Sequence, residues 1–305
     1  MSRSARICAI WALLVAPLLS AQTNPFVGRW DFNLTEANGK PAASWLGISQ
    51  NGSGLEIWYQ PTGGHVFRVP DYKIDGSHLT LNISRDLSWD LDAQGGKLVG
   101  SQKRNGKTIQ LVGVKAPDLK RREPKAWTTP KKLFNGKNLD GWTPIGDPAN
   151  NHWVVRDGNL LNEARGDNLK SNEKFNDFQL HFEVNCPEPA NSGFYLRGRY
   201  ELQLEYEKEG TEPPERGMGS IYGRIAPSVA LPRTPGQWET FDVTLVGRTV
   251  TVKRNGTLTI DHKEIEGITG GALDAIEGEP VPFYLQGDHT GGLRFRNITV
   301  AVPRR

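Results

Sequence analysis

Cysteine is nearly missing from this chain of 305 residues, which carries only Cys8 and Cys186. So few thiols exclude a disulfide framework and any Cys-x-x-Cys redox or zinc motif. Beyond Ala21 there is no long apolar run, which leaves no candidate for a membrane-spanning helix of about 20 residues. An excess of one charge is missing too, since 37 Lys and Arg face 34 Asp and Glu. No strong field for nucleic acid or for a membrane surface follows from that balance. The usual catalytic signatures are not there either: no His-Glu-x-x-His, no Gly-x-Ser-x-Gly elbow and no Walker loop. Gly217-Met-Gly219 with Ser220 is a Gly-rich turn, but no helix follows it to bind phosphate. Asp147-Pro-Ala-Asn-Asn151 has oxygen ligands without the spacing of an EF-hand loop. What survives these exclusions is carboxylate or histidine acid–base chemistry, metal-assisted chemistry, or pure binding.

The chain is rich in turn formers, with 34 Gly and 20 Pro, and holds nine Trp. Met1 to Ala21 reads as a secretory leader: Arg3 and Arg6 precede the apolar run Ile7 to Leu19, and Ser20-Ala21 offers a small-residue cleavage site. Cleavage would remove Cys8 and place the protein in the periplasm or outside the cell, with no membrane attachment. Residues 25–115 show short alternating runs separated by Asn-Gly, Asp-Gly and Gly-Gly turns, the pattern of a small antiparallel barrel or meander. Trp45, Trp58, Trp89 and His65 either line a ligand mouth there or, the favoured reading for the aromatics, fill a core. Residues 116–130, with Pro117, Pro124 and Pro130 among basic residues, read as an extended linker. Residues 131–303 again show many short strands and no sustained helical period, so the fold class is all-β, with a two-sheet sandwich following the small β domain.

The stretch 191–206 organises the second segment. Tyr200, Leu202, Leu204 and Tyr206 alternate with Glu201, Gln203 and Glu205. A strand sends successive side chains to opposite faces, so one face is apolar and the other carries two carboxylates and an amide. Such a polar row is either a solvated outer face, the commoner case, or the floor of a cleft. Tyr195 and Arg197 share a parity just upstream.

From residue 131 onward the chain resembles the DUF1080 family, also called the 3-keto-disaccharide hydrolase domain. The matching blocks are Leu133-Phe-Asn-Gly-Lys-Asn-Leu-Asp-Gly-Trp142, Trp153-Val-Val-Arg-Asp-Gly-Asn-Leu160, Asn176-Asp-Phe178 and Asn191-Ser-Gly-Phe-Tyr-Leu-Arg-Gly-Arg-Tyr-Glu201. Gly217-Met-Gly-Ser-Ile-Tyr-Gly223, Pro235-Gly-Gln-Trp238, Leu285-Gln-Gly-Asp-His289 and Phe295-Arg-Asn-Ile298 complete the set. Thr290, between His289 and Gly291, departs from the family pattern. The resemblance implies a concanavalin-like jelly roll that acts on sugars carrying a ketone at C3. Next to that ketone the C2 proton is acidic, so a base can form an enolate that expels the C1 substituent; water then adds back. Such a sequence needs a base, an electrophile near the C3 oxygen and an acid for the leaving group.

On this resemblance Glu201, His289 and Arg197 take catalytic roles. Glu201 is a general base or an oxygen ligand, His289 an acid or base, and Arg197 a donor to the enolate oxygen. Tyr195, Gln203, Tyr222, Asp288 and Gln286 are assigned to substrate binding. The pattern demands no cofactor, but Glu201, Asp288 and His289 together would suit a divalent cation. The expected partner is an oxidised glucoside or disaccharide, with no nucleic acid; the oligomeric state stays open. The competing reading is a non-catalytic carbohydrate-binding module, since jelly rolls serve both purposes. In the duller readings Arg197 and Glu201 are an ion pair across the Gly198 bend, and Glu205 is solvated.

Overall fold

The computed structural model describes residues 24–35 and 39–304. The expected leader, Met1 to Ala21, lies outside the described residues, as does Asn38 of the Asn38-Gly39 turn signal. Among the described residues the single helical element is the 3-10 turn Pro148–Asn150; everything else regular is strand.

The first unit runs strand by strand from Gly28–Thr35 to Lys107–Lys115, each strand antiparallel to the one before it in the sheet order. The first strand pairs with the last, Trp30 opposite Lys115. The two remaining ends of the sheet, Phe67–Arg68 and Tyr72–Asp75, are consecutive in the chain. Val69 N–H donates to Ile57 O at 2.8 Å on one side, and Asn82 N–H to Asp71 O at 2.9 Å on the other. Residues 67–75 are therefore one stave, broken at Pro70, which has no N–H to give, and the sheet closes into an up-and-down barrel. Closure removes the exposed sheet edges.

Alternation fills the barrel. Trp30, Phe32, Tyr59 and Trp89 point inward and are buried. Trp89 meets Phe32 and Tyr59 edge to face at 4.8 and 5.2 Å between ring centroids, the geometry that aromatic quadrupoles favour. With Leu46, Ile48, Ile57, Leu79, Leu81 and Leu91 in the same cluster, the interior is a packed core.

The second unit is a sandwich of two antiparallel sheets. One has eight strands, centred on Phe178–Asn185, with Arg294–Ala301 on one side and Trp238–Val246 on the other. The other has five: Trp142–Ile145, Asn168–Phe175, Val281–Leu285, Asn191–Leu196 and Tyr200–Glu205, in that order. Phe182 of the first sheet stacks on its neighbour Phe241 at 5.2 Å and across the core on Phe194 of the second at 4.6 Å. This is the jelly-roll sandwich, preceded by a smaller β domain. Trp142 and Trp153 are buried in it, while Trp238 is only half-buried, with the Arg296 guanidinium 4.0 Å above its ring. Cys186 is 1% exposed, and burial pushes its thiol up to about 12.

The barrel docks on the sandwich through an outward-facing row. Asp31, Trp45 and Gln60 are cross-strand neighbours on the outside of the barrel, yet they are only 2%, 1% and 0% exposed. Trp45 packs within the sandwich core cluster, not the barrel's. Its indole lies in a slot between two glycines. A Cβ on Gly47 would stand 2.1 Å from the ring, and one on Gly267 2.5 Å from it. The Arg224 guanidinium covers the ring at 4.4 Å, a cation–π contact strengthened by its own burial. Trp58 is half-exposed and stands outside both cores.

Removing this plug should uncouple the two units. Trp45→Ala is expected to cost about 3–5 kcal/mol, and thermal unfolding followed by calorimetry should resolve into separate barrel and sandwich transitions. A single transition at the wild-type temperature would contradict the packing described.

Candidate active site

The candidate site lies on the face of the five-stranded sheet turned away from the sandwich core. Its framework is set by strand register. Tyr195 sits opposite Glu201 on one side and opposite Tyr284 on the other, forming one cross-strand row. Two residues along, Gly193 sits opposite Gln203 and accepts the Gln286 N–H at 2.9 Å, forming a second row. The intervening residues Phe194, Leu202, Phe283 and Leu285 point into the core. Gly193 is needed as a gap in that second row: a Cβ there would stand 2.4 Å from Glu201 Oε1. The Glu201 carboxyl therefore lies over bare backbone, beside the row that carries Gln203 and Gln286.

These residues enclose an inner hollow of about 240 Å³. Glu201, Gln203, Gln286, Tyr195 and Tyr222 line it from the sheet and the Gly-rich turn, and Asp288 and His289 from the loop after Val281–Leu285. Asn191, Asp288 and His289 also line an adjoining, more open hollow of about 580 Å³ with Arg165, Glu207 and Thr290. The departure at Thr290 thus falls on the outer hollow.

The polar row of the central strand is not solvated. Glu201, Gln203 and Glu205 are 4%, 3% and 5% exposed: the turn at 217–222 pairs along the free edge of the strand, and Tyr222, residues 62–64 and Gly270–Gly271 stand around the hollow above Glu201 and Gln203. Gln203 N–H donates to Ser220 O, Gly219 N–H to Gln203 O and Tyr222 N–H to Glu201 O. Glu205, expected in solvent, faces a separate hollow with Tyr206, Arg233 and Arg254.

Burial sets the electrostatics. It pushes the Glu201 carboxyl up to about 8, against the opposing pull of a Tyr195 hydrogen bond and of the His289 charge; the Asp288 charge adds to the rise. The Tyr195 hydroxyl has one proton, and it is given to Gly270 O at 2.7 Å, so it can do little for an ionised Glu201. His289 Nδ1 lies 3.1 Å from Asp288 Oδ1. That hydrogen bond holds the His289 imidazolium above its usual range despite partial burial. Burial also pushes Asp288 up, but the bond and charge of His289 outweigh it and the carboxyl sits below its ordinary value. The side-chain Oε1 atoms of Gln203 and Gln286 are buried without a hydrogen-bond partner among the described residues. An unsatisfied buried acceptor costs about 1–3 kcal/mol, and donors on a bound molecule would relieve it.

Seven of the eight residues singled out from sequence meet at this hollow. Arg197 does not. It occupies the left-handed region, with φ 51°, in the turn between Asn191–Leu196 and Tyr200–Glu205. Its buried guanidinium donates to Gly247 O at 2.9 Å and to Glu277 O, away from the site. Neither the enolate-stabilising role nor the ion pair with Glu201 stands, because the turn breaks the alternation that had placed Arg197 beside Tyr195. Tyr195 lines the hollow but has spent its hydroxyl on Gly270; its ring stacks on Tyr284 at 3.9 Å. Among the described residues no three His, Cys, Asp or Glu side chains assemble a metal-ion site, so Glu201, Asp288 and His289 do not form the ligand set considered for a cation. His181, in Phe178–Asn185, pairs at 2.8 Å with Asp242 on the neighbouring strand of the eight-stranded sheet, away from the cleft.

Several residues of the site escaped the sequence reading. Tyr284, which backs Tyr195 by stacking on it, carries the parity of Gln286, and that spacing would have found it. Thr62, Gly63 and Gly64 from the barrel, with Gly270 and Gly271, line the inner hollow; a Gly-Gly turn signal alone gives no hint of so distant a contact.

A family model described as the 3-keto-alpha-glucoside-1,2-lyase-like domain matches residues 129–301. Among solved structures, the chain is similar to two Parabacteroides distasonis proteins provisionally assigned as glycosyl hydrolases. One is 26% identical over 60% of this chain and 93% of that one, with a TM-score of 0.47. The other is 17% identical over 56% of this chain and 92% of that one, with a TM-score of 0.44. A Bacillus subtilis protein of unknown function with a galectin-like fold is 12% identical over 60% of this chain and 99% of that one, at a TM-score of 0.36. No curated protein matches the chain. The matched domain supports a carbohydrate-active function. By the extent of that match, the chain belongs to the family of the 3-keto-alpha-glucoside-1,2-lyase-like domain.

Proposed function

We propose that this chain is an exported enzyme that cleaves glycosides or disaccharides oxidised to a ketone at C3, by elimination followed by hydration. The observation that carries the reading is the pairing, in one hollow, of a desolvated carboxyl poised near pH 8 with a histidine oriented by a carboxylate. Two titratable groups whose environments set different proton affinities are the usual signature of acid–base work. The orphaned acceptors of Gln203 and Gln286 suit the hydroxyl groups of a sugar ring.

In this reading His289 in its neutral form removes the C2 proton, with Asp288 fixing the ring and stabilising the imidazolium that results. Electrons from the C2–H bond move toward the C3 oxygen. Glu201, still protonated below about pH 8, donates a hydrogen bond to that oxygen as its charge grows. The enolate then collapses, the C1–O bond breaks, and the proton held by His289 goes to the departing oxygen. Water adds to C1 of the resulting enone and C2 takes a proton back, so the overall change is hydrolysis. The leaving group exits through the outer hollow, past Asn191 and Thr290.

The chemistry is tested with a 3-keto-glucoside bearing a chromogenic leaving group. Release should be slowed by deuterium at C2; release without an isotope effect would favour direct displacement. Binding of unoxidised sugars without any release of the oxidised one would instead make the chain a binding module. His289→Ala should lower kcat/KM by about 10²–10⁴. The pH profile should be bell-shaped. It rises as His289 loses its proton above its ordinary value and falls as Glu201 ionises near pH 8. Asp288→Asn removes the partner that raises His289, so the acidic limb should move to lower pH.

Glu201→Gln should keep part of the rate, as an amide still donates, but lose the fall near pH 8. It should also stabilise the fold. A carboxyl raised from 4.5 to about 8 on folding leaves the native state holding a proton that the unfolded chain has released. Stability from this group is full below pH 4.5 and drains as pH rises toward 8. The amide avoids that loss, and at pH 8 denaturant unfolding should show a gain on the order of 1–3 kcal/mol.

A further inference from the structure

One wall of the inner hollow lies outside the family domain. Thr62, Gly63 and Gly64 stand on the barrel, far upstream of the matched residues 129–301. Their position is fixed from three directions. Gly271 N–H donates to Thr62 O at 2.8 Å. The Gln60 side chain, fully buried at the interface, donates to Pro61 O at 3.0 Å and to Gly64 O at 2.9 Å. Gln60 in turn accepts from Arg224, which also donates to Ile268 O at 2.6 Å. Backbone presses on backbone at Gly270, where a Cβ would stand 2.2 Å from Gly64 O. At Gly223 a Cβ would stand 2.8 Å from the His65 Cβ. The contact reaches the chemistry directly: Tyr195 and Tyr284 donate to Gly270 O and Gly271 O at 2.7 and 2.5 Å.

The hollow enclosed in this way holds about 240 Å³, below the range of about 300–1,000 Å³ usual for pockets that take larger ligands. It accommodates one pyranose rather than two. It continues into the outer hollow on the side of Asn191, Asp288 and His289, while the 61–65 loop stands across the barrel side.

Resting on the reading of function above, we propose that the barrel loop 61–65 is the end wall of the sugar site and makes the enzyme act at a chain terminus. The oxidised ring must be the last one, with nothing attached on its barrel side, and the departing group extends outward. Gly63 would be the specificity-determining position. A Cβ there meets no atom within 4 Å, so the backbone tolerates a side chain, and the glycine leaves the volume to the ligand.

The test uses the full chain and two readouts. Calorimetric titration with 3-keto-glucose measures binding without turnover. Product analysis compares a disaccharide with the ketone on its terminal ring against a trisaccharide with the ketone on its middle ring. Wild type should cleave the first and leave the second. Gly63→Trp should weaken 3-keto-glucose binding about tenfold or more with an unchanged melting temperature, and deletion of Gly63 and Gly64 should admit the trisaccharide. Comparable cleavage of both substrates by wild type, or unchanged binding by a folded Gly63→Trp, overturns the proposal. Binding without turnover that Gly63→Trp weakens upholds the wall and removes the catalytic reading. No binding by wild type overturns both.

Discussion

A carboxyl group kept from water governs this structure. Glu201 sits at 4% exposure with no ion-pair partner in contact among the described residues, and burial is the largest cause of its raised proton affinity. Keeping it dry takes several elements at once. Gly193 clears the space beneath it, the 217–222 turn pairs with the free edge of its strand, and the Tyr195–Tyr284 stack closes its flank. A desolvated acid with only a shared hydroxyl for company is costly to the fold. Such a cost persists where the surrounding packing over-determines the geometry, and the aromatic core of the two sheets does so here.

The barrel contributes to that enclosure by turning part of its outside into an inside. A closed β-barrel ordinarily shows polar residues outward, yet the row Asp31, Trp45, Gln60 is buried against the sandwich. Asp31 reflects the same squeeze: burial and the nearby Glu277 charge push its carboxyl up to about 8. Asn33 accepts the Ala275 N–H at 2.9 Å, and Arg29 donates to the Glu264 carboxylate at 2.8 Å. The two units meet through apolar, polar and backbone contacts together, so the barrel's placement at the site is specified rather than incidental.

Much of this was legible in the chain. Period-two alternation put Glu201 and Gln203 on one face and Leu202 and Leu204 on the other, and the register agrees. Turn signals marked the barrel staves, though not that Pro70 would let one stave close the ring. Alternation failed where the backbone left the extended region. Arg197 shares parity with Tyr195 on paper, but a positive φ sends it to the far side of the turn. Pattern also says nothing of what covers a polar face, and the commoner solvated alternative misplaced Glu205. Contacts such as Thr62 with Gly271 join residues some two hundred positions apart and leave no local signature.

Cys186 shows another side of a fold that relies on packing. At 1% exposure, with burial pushing its thiol up to about 12, it holds almost no thiolate at physiological pH. Thiol–disulfide exchange proceeds through the thiolate. Oxidants and small disulfides would therefore find no handle on this residue, and it behaves as one more apolar filler. Resistance to redox damage here is a by-product of core density rather than of any protective bond.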